Sequence, residues 1–288
     1  MRVDGQEIAK EILDNLKVKI EKLKAENIIP YLAIILVGDN PASISYINQK
    51  KTALEAIGGH ADIYNFKDST TTDEIINTII KIQSDKKING LIVQLPLPKN
   101  LDTDKILKAI DPSYDIDGFL PNSHFTPPIA KAIDKILDFI FHYQINVRQE
   151  TNLKENNELK NWLKSKIITV IGKGETGGKP INDWLNKDNL NHYELDSKTE
   201  NITQVLKSSD IIISAVGKEN FQIRQDQLKD NVILIGVGLR KNNEGKFIGD
   251  YDTNEIKFKA LFYTSTLGGV GPINVACLLE NLVLASEK

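Results

Sequence analysis

The sequence has few cysteines and almost no excess of charge. Cys277 is the single cysteine among 288 residues, so no disulfide can form within the chain, and its apolar surroundings are typical of a buried, inert thiol. Lys and Arg number 36 against 39 Asp and Glu, which gives a net charge of -3. Nucleic acids and anionic membranes are bound by basic faces. We therefore expect neither nucleic acid nor a membrane as a partner.

Long apolar runs are missing as well. No window approaches the roughly 20 apolar residues of a membrane span, and residues 1–7 carry charge where a secretory signal needs an apolar segment. The four histidines, which are His60, His124, His142 and His192, show no metal-ligand spacing. We expect a cytoplasmic protein without a metal site.

What the sequence does contain is an alternation of short apolar runs with helical patterns. Strand-like runs occupy residues 31–37, 61–66, 90–94, 167–171, 192–195, 211–216 and 232–237. Strands that are apolar on both faces and alternate with helices are typical of parallel sheets covered on both sides. The sequence therefore predicts the α/β class, and its length suggests two domains. A strongly polar segment within 147–166 is interpreted as an exposed, partly helical insertion between them.

A glycine-rich turn follows the strand predicted at 167–171. Gly172, Gly174 and Gly177 fit the pattern G-x-G-x-x-G between a strand and a helix. Such glycines let backbone N–H groups approach a pyrophosphate at a helix N-terminus. A plain glycine-rich connector is the alternative, but the strand before the turn and the helix after it favour dinucleotide binding.

The choice between NAD and NADP stays open. Asp196 ends the next predicted strand about twenty residues later, where an acidic side chain can accept a hydrogen bond from the ribose 2′-OH. Its charge would repel a 2′-phosphate and favours NAD. Lys173, Lys179 and Lys198 lie close in sequence and favour NADP instead.

Several polar residues in the first half could carry chemistry. Tyr46 and Lys50 are four residues apart, so a helix places them on one face. Gln94 ends a buried strand, and parallel strands bind ligands at their carboxyl ends. Asp115 and Asp117 lie in a glycine-terminated turn. Each feature also has an ordinary explanation, because helix-surface pairs face solvent and aspartates stabilise turns.

Taken together, these segments resemble the signature of the bifunctional methylenetetrahydrofolate dehydrogenase/cyclohydrolases. The matching segments, in chain order, are Asp4-Gly5, LVGDNPAS at 36–43 with Tyr46 and Lys50, VQLPLP at 93–98, DIDGF at 115–119, Ser197-Lys198-Thr199, Gly249-Asp250 and GGVGP at 268–272. They follow the family's order and cover nearly the whole chain.

The resemblance implies a reaction and a set of roles. Methylenetetrahydrofolate would lose a hydride to a nicotinamide dinucleotide, and water would convert the methenyl product to formyltetrahydrofolate. Tyr46 would stack on the aminobenzoate ring and Asp117 would hydrogen-bond the pterin. Lys50 would transfer protons in the cyclohydrolase step, oriented by the neutral amide of Gln94. Further implied substrate contacts are Leu95, Gly268, Gly271 and Pro272, and the implied dinucleotide contacts are Gly172, Lys173, Gly174, Gly177, Asp196, Ser197 and Leu239.

The resemblance also implies an organisation. Residues 1–128 with the C-terminal helix 272–288 would form the folate domain, and 129–271 a Rossmann-like NAD(P) domain. The active site would lie in the cleft between the domains, and the protein would be a homodimer.

The chain departs from the family mainly in the cofactor half. Lys173-Gly174 replaces Arg-Ser or Ala-Ser, Thr176-Gly177 replaces Ile-Val, Asp196 replaces His, Gly236 replaces Asp, and Ser265-Thr266-Leu267 replaces Pro-Val-Pro. Two alternatives therefore stay open: a cyclohydrolase that has lost its dehydrogenase step, and a non-catalytic folate-binding protein on the same scaffold.

Overall fold

The computed structural model describes residues 1–85, 87–148, 155–242 and 244–287. In chain order its elements are β1 (Arg2–Val3), α1 (Gly5–Ala25), β2 (Tyr31–Val37), α2 (Pro41–Ala56), β3 (His60–Phe66), α3 (Thr72–Ser84), β4 (Gly90–Val93), α4 (Thr103–Lys108), α5 (Pro128–Arg148), α6 (Glu155–Lys164), β5 (Ile168–Ile171), α7 (Gly178–Lys187), β6 (His192–Leu195), α8 (Ile202–Ser208), β7 (Ile211–Ser214), β8 (Val232–Gly236), β9 (Leu239–Lys241), β10 (Phe247–Gly249), α9 (Thr253–Ile256), β11 (Ala260–Thr264) and α10 (Val270–Ser286). None of the helices in these ranges is long and apolar enough to cross a membrane.

The chain divides into two compact units. The first unit consists of Ala9–Pro128 and Val275–Lys288, and the second unit of Met1–Ile8 and Ile129–Asn274. The domain limits predicted from the sequence put residues 1–8 in the same domain as the rest of 1–128. In the structure β1 pairs with β11, and a two-residue strand gives no periodic signal from which that pairing could be predicted.

The first unit is built on a parallel sheet with the strand order β3-β2-β4. Both faces of β2 are buried: Leu32, Ile34 and Leu36 pack in a cluster with residues of α1 and α10. The alternate residues Ala33 and Ile35 pack with residues of α3 and α4. Burial on both faces explains why this strand is apolar throughout.

The second unit contains a parallel six-stranded sheet with the order β1-β11-β8-β7-β5-β6, and β9 and β10 form an antiparallel pair. From β6 the chain returns across β5 to form β7 on its other side. Such a reversal of strand order creates a crevice at the carboxyl ends of the strands, here β5 and β7, where open α/β sheets bind ligands. The predicted α/β class and the Rossmann-like second sheet are confirmed.

The described residues of the polar segment 147–166, which are 147–148 and 155–166, belong to the second unit. Residues 149–154 lie outside the described ranges. Within α6, Leu163 is only 3% exposed, and the Trp162 ring lies 5.7 Å from the Phe141 ring of α5. The predicted helix is present, and one face of it is packed against α5.

Candidate functional site

Helix α2 carries the first two candidate residues. It begins directly after β2 because the Asn40 side chain accepts hydrogen bonds from the N–H groups of Ala42 (2.9 Å) and Ser43 (3.3 Å), and proline is favoured in the first helical turn. Tyr46 lies one helical turn before Lys50, so the two share a face. Burial raises the pKa of the Tyr46 phenol, so this side chain is an uncharged aromatic group at physiological pH.

Gln94 follows β4 and faces Lys50. Its backbone N–H donates to Ile35 O (2.9 Å) and its Nε2 donates to Leu95 O (2.8 Å). These two bonds leave Oε1 free to accept from Lys50 Nζ at 3.3 Å. Gln94 is therefore fixed at the carboxyl end of the sheet with its carbonyl oxygen toward the amine.

The turn at 115–119 separates two aspartates with different environments. Asp115 is 2% exposed, and its carboxylate accepts from Leu120 N at 2.9 Å. Gly118 has φ +68°, and a Cβ there would lie 2.7 Å from Phe125 O, so the turn requires glycine. Asp115 is thus a turn-stabilising residue.

Asp117, two residues further along this turn, interacts electrostatically with Lys50. Burial raises the pKa of its carboxyl, while the nearby Lys50 ammonium lowers it and the Asp115 charge raises it further. The structure therefore brings Lys50, Gln94 and Asp117 together, with Tyr46 one turn away on α2. All four belong to the first unit.

The glycine-rich turn after β5 has two glycines that the backbone requires. Gly172 has φ +103°, and a Cβ there would lie 2.5 Å from Ala215 O. A Cβ on Gly178 would lie 1.8 Å from Gly172 O, so α7 can begin this close to the strand only with glycine. Gly174 has nothing within 4 Å of its Cβ position. Its Cβ position therefore faces open space.

Asp196 is held in a local turn at the end of β6. Its Oδ1 accepts from Lys198 N (2.9 Å) and from Thr199 Oγ1 (3.2 Å), while Lys173 Nζ lies 3.8 Å from its Oδ2. The backbone hydrogen bond from Lys198 is the main reason that the pKa of Asp196 is lowered. Asp196 is therefore an anion at the strand end, and Ser197 beside it is exposed.

The turn after β7 depends on Asp250, which the sequence indicated only as part of a matching dipeptide. The buried carboxylate accepts from Ser214 Oγ (2.7 Å), Val216 N (2.9 Å) and Gly217 N (2.8 Å). It thereby fixes the turn after β7 beside Gly172. Only the tertiary structure reveals this role, since Asp250 lies 33 residues from Gly217 along the chain. The backbone of Leu239 packs against the same turn, with its carbonyl oxygen 3.1 Å from the Cβ position of Gly217.

The glycine-rich segment before α10 packs on the N-terminal residues. Gly5 N donates to Gly268 O at 2.9 Å, and a Cβ on Gly5 would lie 1.8 Å from Gly269 O. The segments Asp4-Gly5 and GGVGP, which lie at opposite ends of the sequence, thus contact each other within the second unit. Gly271 and Pro272 lie in the first turn of α10.

These features fit a dinucleotide. The N-cap residue Gly177 has no side chain to accept from the first turn of α7, so that turn can receive a pyrophosphate. Gly174 leaves open space beside it, and Asp196 lies at the adjacent strand end. No group of three or more His, Cys, Asp or Glu side chains suited to a metal ion occurs within the ranges that the structure covers.

Comparison with known proteins gives the same assignment for both halves of the chain. Residues 3–117 match the family model of the tetrahydrofolate dehydrogenase/cyclohydrolase catalytic domain. Residues 153–288 match the NAD(P)-binding domain of the same family. The bifunctional protein FolD of Nautilia profundicola is 37% identical over 291 residues, which cover 99% of this chain and 97% of the relative.

Solved structures agree over the full length. The crystal structure of the bifunctional enzyme FolD, a methylenetetrahydrofolate dehydrogenase/cyclohydrolase from Campylobacter jejuni, has a TM-score of 0.88 at 32% identity and covers 100% of this chain and 98% of that one. The bifunctional enzyme of Thermoplasma acidophilum has a TM-score of 0.84 at 26% identity, with 100% and 98% covered. These findings support an enzyme with both dehydrogenase and cyclohydrolase activities. They do not support a cyclohydrolase without the dehydrogenase step or a non-catalytic folate-binding protein. The chain belongs to the bifunctional methylenetetrahydrofolate dehydrogenase/cyclohydrolase family and is an NAD(P)-dependent enzyme of one-carbon metabolism.

Proposed function

We propose that Lys50 transfers the protons of the cyclohydrolase step and that Gln94 positions its amine. The observation that carries this proposal is the 3.3 Å contact between Lys50 Nζ and Gln94 Oε1. General acid–base catalysis requires such a group within hydrogen-bonding reach of the reacting atoms. Gln94 is itself fixed by two backbone contacts, so it can hold the amine in one direction.

Tyr46 and Asp117 would hold the folate around this amine. The neutral, half-buried Tyr46 ring offers a flat apolar face for the aminobenzoate ring. The Asp117 carboxyl can hydrogen-bond the pterin, and Leu95 adds an apolar contact at the strand end. Gly268, Gly271 and Pro272 stay predicted substrate contacts.

The hydrolytic step requires two proton transfers. Water adds to the methenyl carbon and must lose a proton as the C–O bond forms, and a folate nitrogen must gain one as the ring opens. An amine that exchanges protons with both sites can serve both transfers. The Gln94 amide can orient that amine through its carbonyl oxygen, which accepts from Lys50 Nζ at 3.3 Å.

For the dehydrogenase step, the second unit would bind NAD or NADP through Gly172, Lys173, Gly174, Gly177, Asp196, Ser197 and Leu239. When bound, the nicotinamide accepts the hydride from methylenetetrahydrofolate. The glycines would admit the pyrophosphate, and Asp196 and Lys173 would face the ribose. In this proposal the first unit is the folate domain and the second the dinucleotide domain. We further propose a homodimer in the cytoplasm, which sedimentation and cell fractionation can test.

The experiment compares Lys50→Met with Lys51→Met. Lys51 is the adjacent lysine and pairs with Glu55 on the helix surface, so its variant controls for the loss of one charge from α2. We expect Lys50→Met to hydrolyse added methenyltetrahydrofolate at least about 100-fold more slowly and to keep oxidising methylenetetrahydrofolate.

The matched variants make the proposal falsifiable. Lys51→Met should retain both activities, and Gln94→Ala should lower hydrolysis by a smaller factor than Lys50→Met. Unchanged hydrolysis in a folded Lys50→Met protein would overturn the assignment of proton transfer to Lys50.

A further inference from the structure

A chain of alternating charges crosses the strand end where the ribose is proposed to bind. Lys173 Nζ lies 3.7 Å from Glu194 Oε2 and 3.8 Å from Asp196 Oδ2. One ammonium is therefore shared by two carboxylates. Sequence reasoning identified Lys173 and Asp196 but gave no role to Glu194.

Glu194 reaches Lys173 because of its position in β6. Side chains two residues apart on a strand point to the same face, so Glu194 and His192 share one face. His192 Nε2 lies 3.5 Å from Glu194 Oε1. The glutamate thus lies between a lysine on one side and a histidine on the other.

A buried histidine ring lies beside the carboxylate of Glu194. The His192 side chain is 3% exposed, and its Nδ1 is 2.9 Å from Leu190 O, an acceptor that requires the proton on Nδ1. Among the residues that the structure describes, Nε2 makes no hydrogen bond, and the Glu194 carboxylate is the group that faces it. Glu194 thus contacts both Lys173 and this buried ring.

We propose that Glu194 is a cofactor-specificity residue that weakens binding of NADP relative to NAD by competing for the Lys173 ammonium. This inference rests on the proposed placement of the dinucleotide ribose at Lys173 and Asp196. A 2′-phosphate carries between about one and a half and two negative charges near neutral pH, and Lys173 is the cation nearest to Asp196 in the ion pairs described above. With Glu194 present, carboxylates outnumber that cation two to one.

The 2′-hydroxyl of NAD does not need the Lys173 ammonium as a counter-charge, because it is neutral and can donate a hydrogen bond to Asp196. Removing the Glu194 charge therefore changes the affinity for NADP more than the affinity for NAD. Exposed ion pairs contribute only small free energies, so we expect NADP affinity to rise about two- to fivefold, with NAD affinity nearly unchanged.

The test measures binding of NAD, NADP, 5′-AMP and 2′,5′-ADP to the full-length protein and to the variant Glu194→Gln. Asp230→Asn is the control, because it removes one carboxylate that pairs with a lysine, Lys259, at 2.7 Å. Asp230 precedes β8 and lies at the opposite, amino end of the sheet. Lys173→Met tests the placement of the ribose independently.

The expected result is tighter binding of NADP and 2′,5′-ADP to Glu194→Gln, with unchanged binding of NAD and 5′-AMP and no effect of Asp230→Asn. If Lys173→Met weakens 2′,5′-ADP but Glu194→Gln leaves all four ligands unchanged, the inference about Glu194 is wrong and the cofactor site stands. If Lys173→Met changes none of the four, the proposed placement of the ribose fails instead.

Discussion

A side chain at position 236 would place its Cβ 2.9 Å from the hydroxyl oxygen of Tyr251. Tyr251 is buried, and its Oη donates to Thr264 O at 2.7 Å. Gly236 is one of the positions at which the sequence departs from the family pattern that it resembles. The structure gives its reason, because the tyrosine ring occupies the space that a side chain on Gly236 would need.

We therefore predict that Gly236→Asp alone lowers the free energy of unfolding by about 2 to 4 kcal/mol, from overpacking and from a carboxylate placed against a buried phenol. The double variant Gly236→Asp with Tyr251→Val should recover part of this loss. Denaturant unfolding of Gly236→Asp, of Tyr251→Val alone and of the double variant checks the prediction. If the stability losses of the two single variants simply add up in the double variant, the side chains at positions 236 and 251 do not compete for the same space.

A second prediction concerns Asp117 and pH. Burial raises the pKa of this carboxyl in the folded protein more than Lys50 lowers it. A carboxyl with a raised folded-state pKa stabilises the fold at a pH below its unfolded value of about 3.9, and this contribution is lost as the pH rises through the folded pKa. At neutral pH the ionised Asp117 is therefore destabilising.

We expect Asp117→Asn to be more stable than the natural protein at neutral pH, by on the order of 1 kcal/mol, and the difference to shrink as the pH falls toward the unfolded value. The same variant should have a higher KM for the folate. Thermal unfolding at several pH values measures the first effect. A stability difference independent of pH would contradict this explanation.

A third prediction separates two glycines of the turn after β5. Gly178→Ala places a Cβ against a backbone oxygen at 1.8 Å and should cost more than about 2 kcal/mol of stability. Gly174→Ala meets no atom within 4 Å and should leave stability within about 0.5 kcal/mol. If Gly174 leaves room for the pyrophosphate, its alanine variant nevertheless raises the KM for the dinucleotide severalfold. Unchanged cofactor kinetics in Gly174→Ala would show that the ligand does not approach this residue.

The sequence predicted the parts of the fold that repeat a local signal. The strand at Tyr31–Val37 is apolar at each of its residues because both of its faces are buried, and the helix after it begins at a recognisable Asn-Pro cap. β1 could not be predicted, because its two residues are stabilised by pairing with β11 at the other end of the chain.

The candidate site was predictable to a similar degree. Spacing placed Tyr46 near Lys50, whereas the approach of Gln94 to Lys50 depends on residues 44 apart. The two aspartates of the 115–119 turn were alike in sequence, and only packing distinguishes the structural Asp115 from Asp117 beside the lysine. The roles of Asp250 and Glu194 were not recognised because their partners lie on other strands and turns.

The most direct test mixes the purified protein with methylenetetrahydrofolate and either NAD or NADP, and follows the reduced nicotinamide and the folate products together. Two activities in one chain predict reduction of at least one dinucleotide, with formyltetrahydrofolate released in equal amount. Failure to reduce either dinucleotide, in a preparation that still hydrolyses added methenyltetrahydrofolate, would contradict the assignment of a dehydrogenase activity to this chain.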